Sequence, residues 1–265
     1  MSDPRATPDP AKVTEATPAR VRLPLIDLNR HPGAQRDRQV LLGERLTILG
    51  RRDGHAYVQT QKDSYVGYVN AKTLGPDTNV THRISARTSH AYSQSDMKSA
   101  DLSTLHHGSL ITVLESDKKF ARTTHGYVPV QHIQPMTTPE TDPVSVAKRF
   151  LGTPYLWGGN SGIGIDCSGL IQAALTACNI PCPGDSDQQE HALGTALPDG
   201  TTPQAGDLFF WKGHVALAAD ATTLIHANAH HMATAFEPLS EAISRIQTQG
   251  DGPVTAHKRL SVSFS

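Results

Sequence analysis

The chain has 265 residues, with 24 Lys plus Arg against 25 Asp plus Glu and a formal net charge of -1. At roughly 100–200 residues per domain this is room for more than one folded unit. The balanced charge gives no global field to draw the protein onto nucleic acid or an acidic membrane, so a small polar ligand is the better expectation. Three cysteines, an odd count without CxxC spacing, supply neither a disulfide framework nor a paired zinc or redox motif, and they read as thiols in a reducing compartment.

The segment Met1–Arg30 holds Pro4, Pro8, Pro10, Pro18 and Pro24, and few large apolar side chains occur before about Arg20. Such a composition buries too little surface to offset chain entropy, and it predicts an extended proline-rich arm over residues 1–30. It contains no apolar run of signal-peptide length, and no stretch of about eighteen apolar residues occurs anywhere. The expectation is a cytoplasmic protein with no membrane partner.

Short alternating runs begin near Gln39: Leu46-Thr47-Ile48, Ala56-Tyr57-Val58 and Tyr65-Val66-Gly67-Tyr68-Val69, each bounded by turn residues. The pattern returns, because Gly43–Leu49 aligns with Gly108–Leu114 and Gly67-Tyr68-Val69 with Gly126-Tyr127-Val128. A duplicated small β unit follows, over residues 31–78 and 79–136. The Thr- and Pro-rich segment 137–143 reads as a linker.

From residue 144 to 265 the texture changes. Val144, Ala147 and Leu151 share a helical face, and Gly152 and Pro154 end that helix. After the glycine-rich Gly158-Gly159-Asn160-Ser161-Gly162, a second helix carries the stripe Leu170, Ile171, Ala174, Leu175 and Cys178. Beyond Asp207 the period drops to two, giving strands at Leu208–Trp211, His214–Ala219 and Thr223–Ala227. Helices followed by antiparallel strands make this an α+β domain.

Cys167 lies where the glycine-rich loop enters the second helix. There, unpaired N–H groups and the helix dipole favour a thiolate, and its own N–H can help hold an oxyanion. A thiol nucleophile needs an imidazole in reach and a third polar group behind it. His214 and His226 lie on adjacent strands. A hairpin centred on Asp220 sets them opposite each other, and one centred on Ala221 sets His214 opposite Asn228, diagonal to His226. Either way both rings share one face, about 5–8 Å apart at Cβ. The other twelve histidines, His106-His107 and His230-His231 among them, show no metal-ligand spacing such as HExxH and read as surface residues, so no metal or cofactor is expected.

Several motifs together resemble the NlpC family of cell-wall cysteine peptidases: Pro154-Tyr155-Leu156-Trp157-Gly158-Gly159, Asp166-Cys167-Ser168-Gly169-Leu170, Gly206-Asp207-Leu208-Phe209-Phe210, Gly213-His214-Val215-Ala216 and Ile225-His226-Ala227. The resemblance implies a papain-like α+β catalytic domain with Cys167 as nucleophile, His214 as base and His226 as third member. It also implies Tyr155 at the oxyanion site and Trp157 in the substrate groove, where plain aromatic packing beside a glycine turn is the competing reading.

Each upstream β copy resembles a bacterial SH3 barrel. With two such units, the chain is similar to γ-D-glutamyl-L-diamino acid endopeptidases acting on murein peptides with a free N-terminal L-Ala. That likeness assigns the substrate amine to Ser168 and Asp185 and a closing tyrosine to Tyr65 or Tyr68. Relatives commonly carry Arg before the amine-binding Asp, where this chain has Gly184. Asp185 reads equally as a helix cap. The expected activity is recycling of small murein-derived peptides, with hydrolysis of intact peptidoglycan or a catalytically silent SH3 peptide-binding role as alternatives. The sequence sets no oligomeric state.

Overall fold

The computed structural model describes residues 3–260, which divide into two compact units, residues 1–138 with Asn160–Ile163, and Pro139–Gly159 with residues 164–265. No helix among the described residues is long and apolar enough to cross a membrane.

The first unit is all β. Strands β1 (Thr17–Val21), β2 (Leu25–Asn29), β3 (Arg36–Leu41), β4 (Arg45–Arg52), β5 (His55–Thr60), β6 (Val66–Asn70) and β7 (Leu74–Pro76) form one sheet in the order β3-β2-β6-β5-β4-β1-β7. The expected arm over residues 1–30 is therefore corrected, because its second half supplies two strands of this sheet. Ala19 and Val21, then Ile26 and Leu28, alternate into the core at 7 % exposure or less. A period of two survives between prolines that the average composition lets dominate. Pro18 is tolerated because β7 pairs only with Ala19–Val21, so Pro18 faces the single neighbour β4 through Thr47.

The second half of this unit is also all β, divided between a five-stranded and a three-stranded sheet. It comprises β8 (His82–Ile84), β9 (Thr88–Tyr92), β10 (Asp101–His106), β11 (Leu110–Ile111), β12 (Val113–Ser116), β13 (Phe120–Thr123), β14 (Gly126–Pro129) and β15 (Ile133–Pro135). In both copies a strand carrying Gly-Tyr-Val leads through a single 3-10 turn, Ala71–Thr73 or Val130–His132, into a short closing strand. Each repeated glycine, Gly43 and Gly108, has positive φ at the turn before its strand. A Cβ on Gly43 would meet the Leu110 carbonyl oxygen at 2.1 Å. That approach joins the two copies, since Leu110 N–H donates to the Leu42 carbonyl at 2.8 Å. The Leu42 side chain itself lies in the second copy's core with Ile84, Leu105 and Val128. His106 and His107 are buried at 2 % and 3 % exposure rather than on the surface. They close the β10 hairpin inward, with His107 Nδ1 on the Ser85 carbonyl at 2.9 Å.

The second unit begins with α1 (Pro143–Lys148), capped by Asp142 through the Val144 N–H. In chain order β16 (Asn160–Ser161) comes next, in the segment that falls in the first unit, and the second unit continues with β17 (Gly164–Ile165), α2 (Cys167–Ala177), α3 (Ser186–Ala192), β18 (Thr195–Ala196), β19 (Leu208–Trp211), β20 (His214–Ala218), β21 (Thr223–Asn228), β22 (Ala233–Pro238), α4 (Leu239–Gln249) and β23 (Ala256–Arg259). Its antiparallel sheet runs β18-β23-β19-β20-β21-β22.

Strands β19 to β21 read as unbroken apolar runs because both faces are covered. Leu208, Phe210, Val215, Leu217, Ile225 and Ala227 pack with α1 and α2, whereas Phe209, Trp211, Ala216, Ala218 and Leu224 pack with Ala242 and Ile246 of α4. Asp207, at 1 % exposure, pins β23 to this sheet by accepting from both Arg259 (2.7 Å twice) and His257 (2.8 Å).

Candidate active site

The site is built at the start of α2. Asp166 is its N-cap and accepts three hydrogen bonds, from Gly169 N–H (2.6 Å) and Ser168 Oγ (3.1 Å) on Oδ1, and from Gly158 N–H (2.9 Å) on Oδ2. One carboxylate thus satisfies an orphan helix donor and fixes the turn at Gly158, whose φ is +68°. With this cap in place Cys167 opens the helix, 7 % exposed, with its sulfur facing the backbone amides of Val215, Ser168 and Cys167 itself. Val215 adjoins His214, so the thiol lies beside the strand that carries the candidate base.

Those amides favour the thiolate, as a helix N-terminus should. They are outweighed by burial and then by the neighbouring Asp166 charge, which together push the thiol up to about 12. Burial and Asp166 thus favour the neutral thiol against the pull of the helix start. Tyr155 is half-buried and its phenol is pushed up by burial, then by Cys167 and Asp166, which places it beside the sulfur. Trp157 is 72 % exposed, which sets it apart from core packing.

The β20–β21 register pairs Leu217 with Ile225 and Ala218 with Leu224, so the hairpin is centred on Ala221. His214 and His226 then meet diagonally. His214 Nε2 lies 2.9 Å from His226 Nδ1, with ring centroids 5.1 Å apart. Burial holds His214 down at about 3, helped by His226 and Arg245, so its ring is a neutral base. His226 is 0 % exposed and also shifted down by burial, against the pull of Glu237.

Behind it lie two residues that sequence reasoning missed. Glu237 of β22 accepts from His226 Nε2 at 2.9 Å on Oε2, and Arg245 of α4 grips both its oxygens at 2.8 Å. A signal for α4 was present in Leu239, Ala242, Ile243 and Ile246, spaced i, i+3, i+4 and i+7. A cavity of about 180 Å³ beside the rings is lined by Tyr155, Lys212, His214, Asn228 and Arg245. Trp211, fully buried, packs on His214 from within the sheet at 5.7 Å between centroids.

The remaining candidates fall into two groups. Ser168 is buried and its carbonyl accepts from Gln189 Nε2 at 2.9 Å, while the same amide donates to the Pro183 carbonyl at 3.0 Å. Gln189, 0 % exposed, thereby staples Pro183 to the start of α2. Asp185 is half-buried and N-caps α3 in a capping box with Gln188, so the cap reading is realised there. Tyr65 and Tyr68 lie in the first unit. Tyr65 is 3 % exposed under the Arg38 guanidinium at 5.1 Å, and Tyr68 packs on Tyr57 at 5.1 Å. Among the described residues no three His, Cys, Asp or Glu side chains gather as metal ligands.

Parts of the chain are similar to known proteins. Residues 152–250 match the NlpC/P60 family, and residues 28–74 match the bacterial dipeptidyl-peptidase Sh3 domain. The chain is 29% identical over 218 residues to dipeptidyl-peptidase 6 of Lysinibacillus sphaericus, covering 72% of this chain and 79% of that one. It is 38% identical over 95 residues to the γ-D-glutamyl-L-lysine dipeptidyl-peptidase of Bacillus subtilis, covering 32% of this chain and 31% of that protein. In fold it is similar to the crystal structure of an NlpC/P60 family protein from Bacillus cereus, with a TM-score of 0.77, 20% identity, and coverage of 92% and 99% of the two chains.

Proposed function

We propose that this chain, which carries an NlpC/P60 peptidase domain behind a bacterial SH3 domain, is a cysteine endopeptidase that cuts the γ-D-glutamyl–diamino acid bond of small murein peptides bearing a free N-terminal L-Ala. The observation that carries the chemistry is the helix-opening Cys167 beside β20, whose His214 is hydrogen-bonded to His226 at 2.9 Å. The relatives named for dipeptidyl-peptidase activity support the substrate class.

Because thiol and imidazole both rest neutral, the nucleophile forms during attack. His214 Nδ1, the nitrogen not bonded to His226, takes the Cys167 proton as sulfur adds to the γ-carbonyl carbon. The backbone N–H of Cys167 and the Tyr155 hydroxyl stabilise the oxyanion. Collapse breaks the C–N bond, and the imidazolium proton leaves on the diamino acid amine. Water, deprotonated by the regenerated imidazole, then cleaves the thioester, releases L-Ala-D-Glu and returns the proton to sulfur.

In this reading Asp185 and Ser168 receive the substrate ammonium, with Gln189 tying the Pro183 turn that leads into Asp185 to the Ser168 carbonyl. A carboxylate that pairs with a cation loses that partner when the substrate amine is acylated. The function that follows is recycling of peptides inside the cell, assisted by a second SH3-like copy at 79–136.

The test is kcat/KM for L-Ala-γ-D-Glu-L-Lys and its N-acetyl form, followed by mass spectrometry. The free peptide is expected to win by about 30-fold or more. Asp185→Asn should erase most of that preference, and Cys167→Ala should abolish turnover without unfolding. Equal values for the two peptides refute the amine pocket and favour hydrolysis of intact peptidoglycan. Normal turnover by Cys167→Ala refutes the thiol mechanism.

A further inference from the structure

We infer that Glu237, clamped by Arg245, is a positioning residue that sets the tautomers of both imidazoles and so aims the lone pair of His214 at the thiol. The inference rests on the proposed cysteine-peptidase reading.

Arg245 donates to both oxygens of Glu237 through Nε and Nη2, each at 2.8 Å, and its Nη1 is held by Gln249 at 2.9 Å. The two hydrogen bonds, from Arg245 first and then His226, keep the Glu237 carboxyl well below the usual carboxylate range despite its burial. An ionised carboxylate can only accept. Nε2 of His226, 2.9 Å away, must therefore carry hydrogen.

Burial keeps His226 neutral, so a protonated Nε2 leaves Nδ1 as a bare acceptor. The partner of that acceptor is Nε2 of His214 at 2.9 Å, which must then donate. His214, itself neutral, is left with its lone pair on Nδ1, the nitrogen the proposed mechanism needs. Without the carboxylate nothing fixes the first proton. An amide in its place can present either oxygen or N–H₂ to His226, and the N–H₂ arrangement turns the whole relay to the unproductive tautomer.

The fold makes this arrangement rigid. Leu224 pairs with Glu237 and His226 with Ala235, so Glu237 stands one diagonal step from His226 on the adjacent strand. Arg245 follows eight residues later on α4, whose Ala242 and Ile246 are buried against the sheet. The four side chains thus come from β20, β21, β22 and α4, and none comes from a mobile loop. A buried ion pair with only a structural role would hold α4 to the sheet equally well, so the test must read the tautomer.

Imidazole ¹⁵N spectra of the full chain, assigned with His214→Asn and His226→Gln, report which nitrogen of each ring is protonated. In the wild type both rings are expected as Nε2–H tautomers, and in Glu237→Gln a second population should appear. A wild-type spectrum with Nδ1 of His226 protonated overturns the inference whether or not any peptide is cut. If Glu237→Gln does not fold, the wild-type spectrum alone decides.

Where the variant folds, kcat on L-Ala-γ-D-Glu-L-Lys should fall about 10- to 100-fold with KM little changed, as for other outer partners of functional histidines. Glu237→Asp should recover part of the rate. In a His226→Gln background, Glu237→Gln should cost nothing further, since its effect passes through that ring. An undiminished additional loss there refutes the positioning role while leaving the cysteine mechanism standing. Full activity of Cys167→Ala removes the mechanism and leaves the tautomer result unaffected.

Discussion

Asp166 does two opposing things to the nucleophile, and a single substitution separates them. Its carboxylate builds the helix start that places Cys167, yet its charge is the second cause, after burial, of the raised thiol. Asp166→Asn keeps an oxygen for Gly169 N–H and removes the charge. For charges about 6 Å apart at an effective dielectric of about 20, the Coulomb energy is about 3 kcal/mol, which screening reduces to about 1–2 pKa units on the thiol. Each unit gained multiplies the thiolate about tenfold and costs about threefold in intrinsic nucleophilicity, so iodoacetamide should alkylate Cys167 about 3- to 10-fold faster at pH 7.5. The amide cannot accept from Gly158 N–H, which should cost about 1–2 kcal/mol and lower Tm by about 2–8 °C. The assay is alkylation rate by intact-mass spectrometry, with Cys167→Ala as the blank and circular dichroism as the check on folding. Alkylation no faster than wild type in a folded variant refutes the electrostatic argument.

The pH dependence of stability follows from the buried rings. The folded value for His214, about 3, lies below the ordinary 6.5, so the unfolded chain binds the extra proton between those values and stability falls as the pH drops below 6.5. Between pH 6.5 and 5 the His214 contribution alone should be about 2 kcal/mol, read as a loss of urea midpoint that His214→Asn reduces, the rest coming from His226 and the other buried histidines; an identical pH slope in both proteins contradicts it. Trp157, at 72 % exposure, buries little of its ring, so Trp157→Ala should change Tm by no more than about 1–2 °C and raise KM several-fold. A fall in Tm with unchanged KM would make it a structural residue instead.

Much of the second unit was legible because its signals are local. The expected strands Leu208–Trp211, His214–Ala219 and Thr223–Ala227 end within a residue of those observed, since three neighbouring apolar runs with polar turns admit little else. The helix start at Cys167 was legible for the same reason, since a capping Asp before Cys and a glycine loop before both describe it. The proline-rich start was misjudged because pairing in β1 and β2 depends on distant partners, Leu46 and Val40 among them, that composition does not register. The two possible centres of the His214–His226 hairpin were undecidable from spacing, since Asp220 and Thr222 suit either turn. In the structure Asp220 Oδ1 accepts from Thr222 N–H at 2.8 Å, which ties the turn around Ala221.

Glu237 was invisible for a different reason. In Ala235-Phe236-Glu237-Pro238 a glutamate flanked by an exposed Phe236 looks like the solvent side of an edge strand, and β22 is indeed at the sheet edge. What turns it inward is α4, which folds back over that edge and supplies a guanidinium eight residues later. Charge burial is tolerated only where a partner of opposite sign is already held in place, and Arg245 is held by the apolar face of its own helix. The catalytic motif is therefore short in sequence, but the proton arrangement it needs is set by a helix outside every motif, through one carboxylate whose environment only the tertiary structure defines.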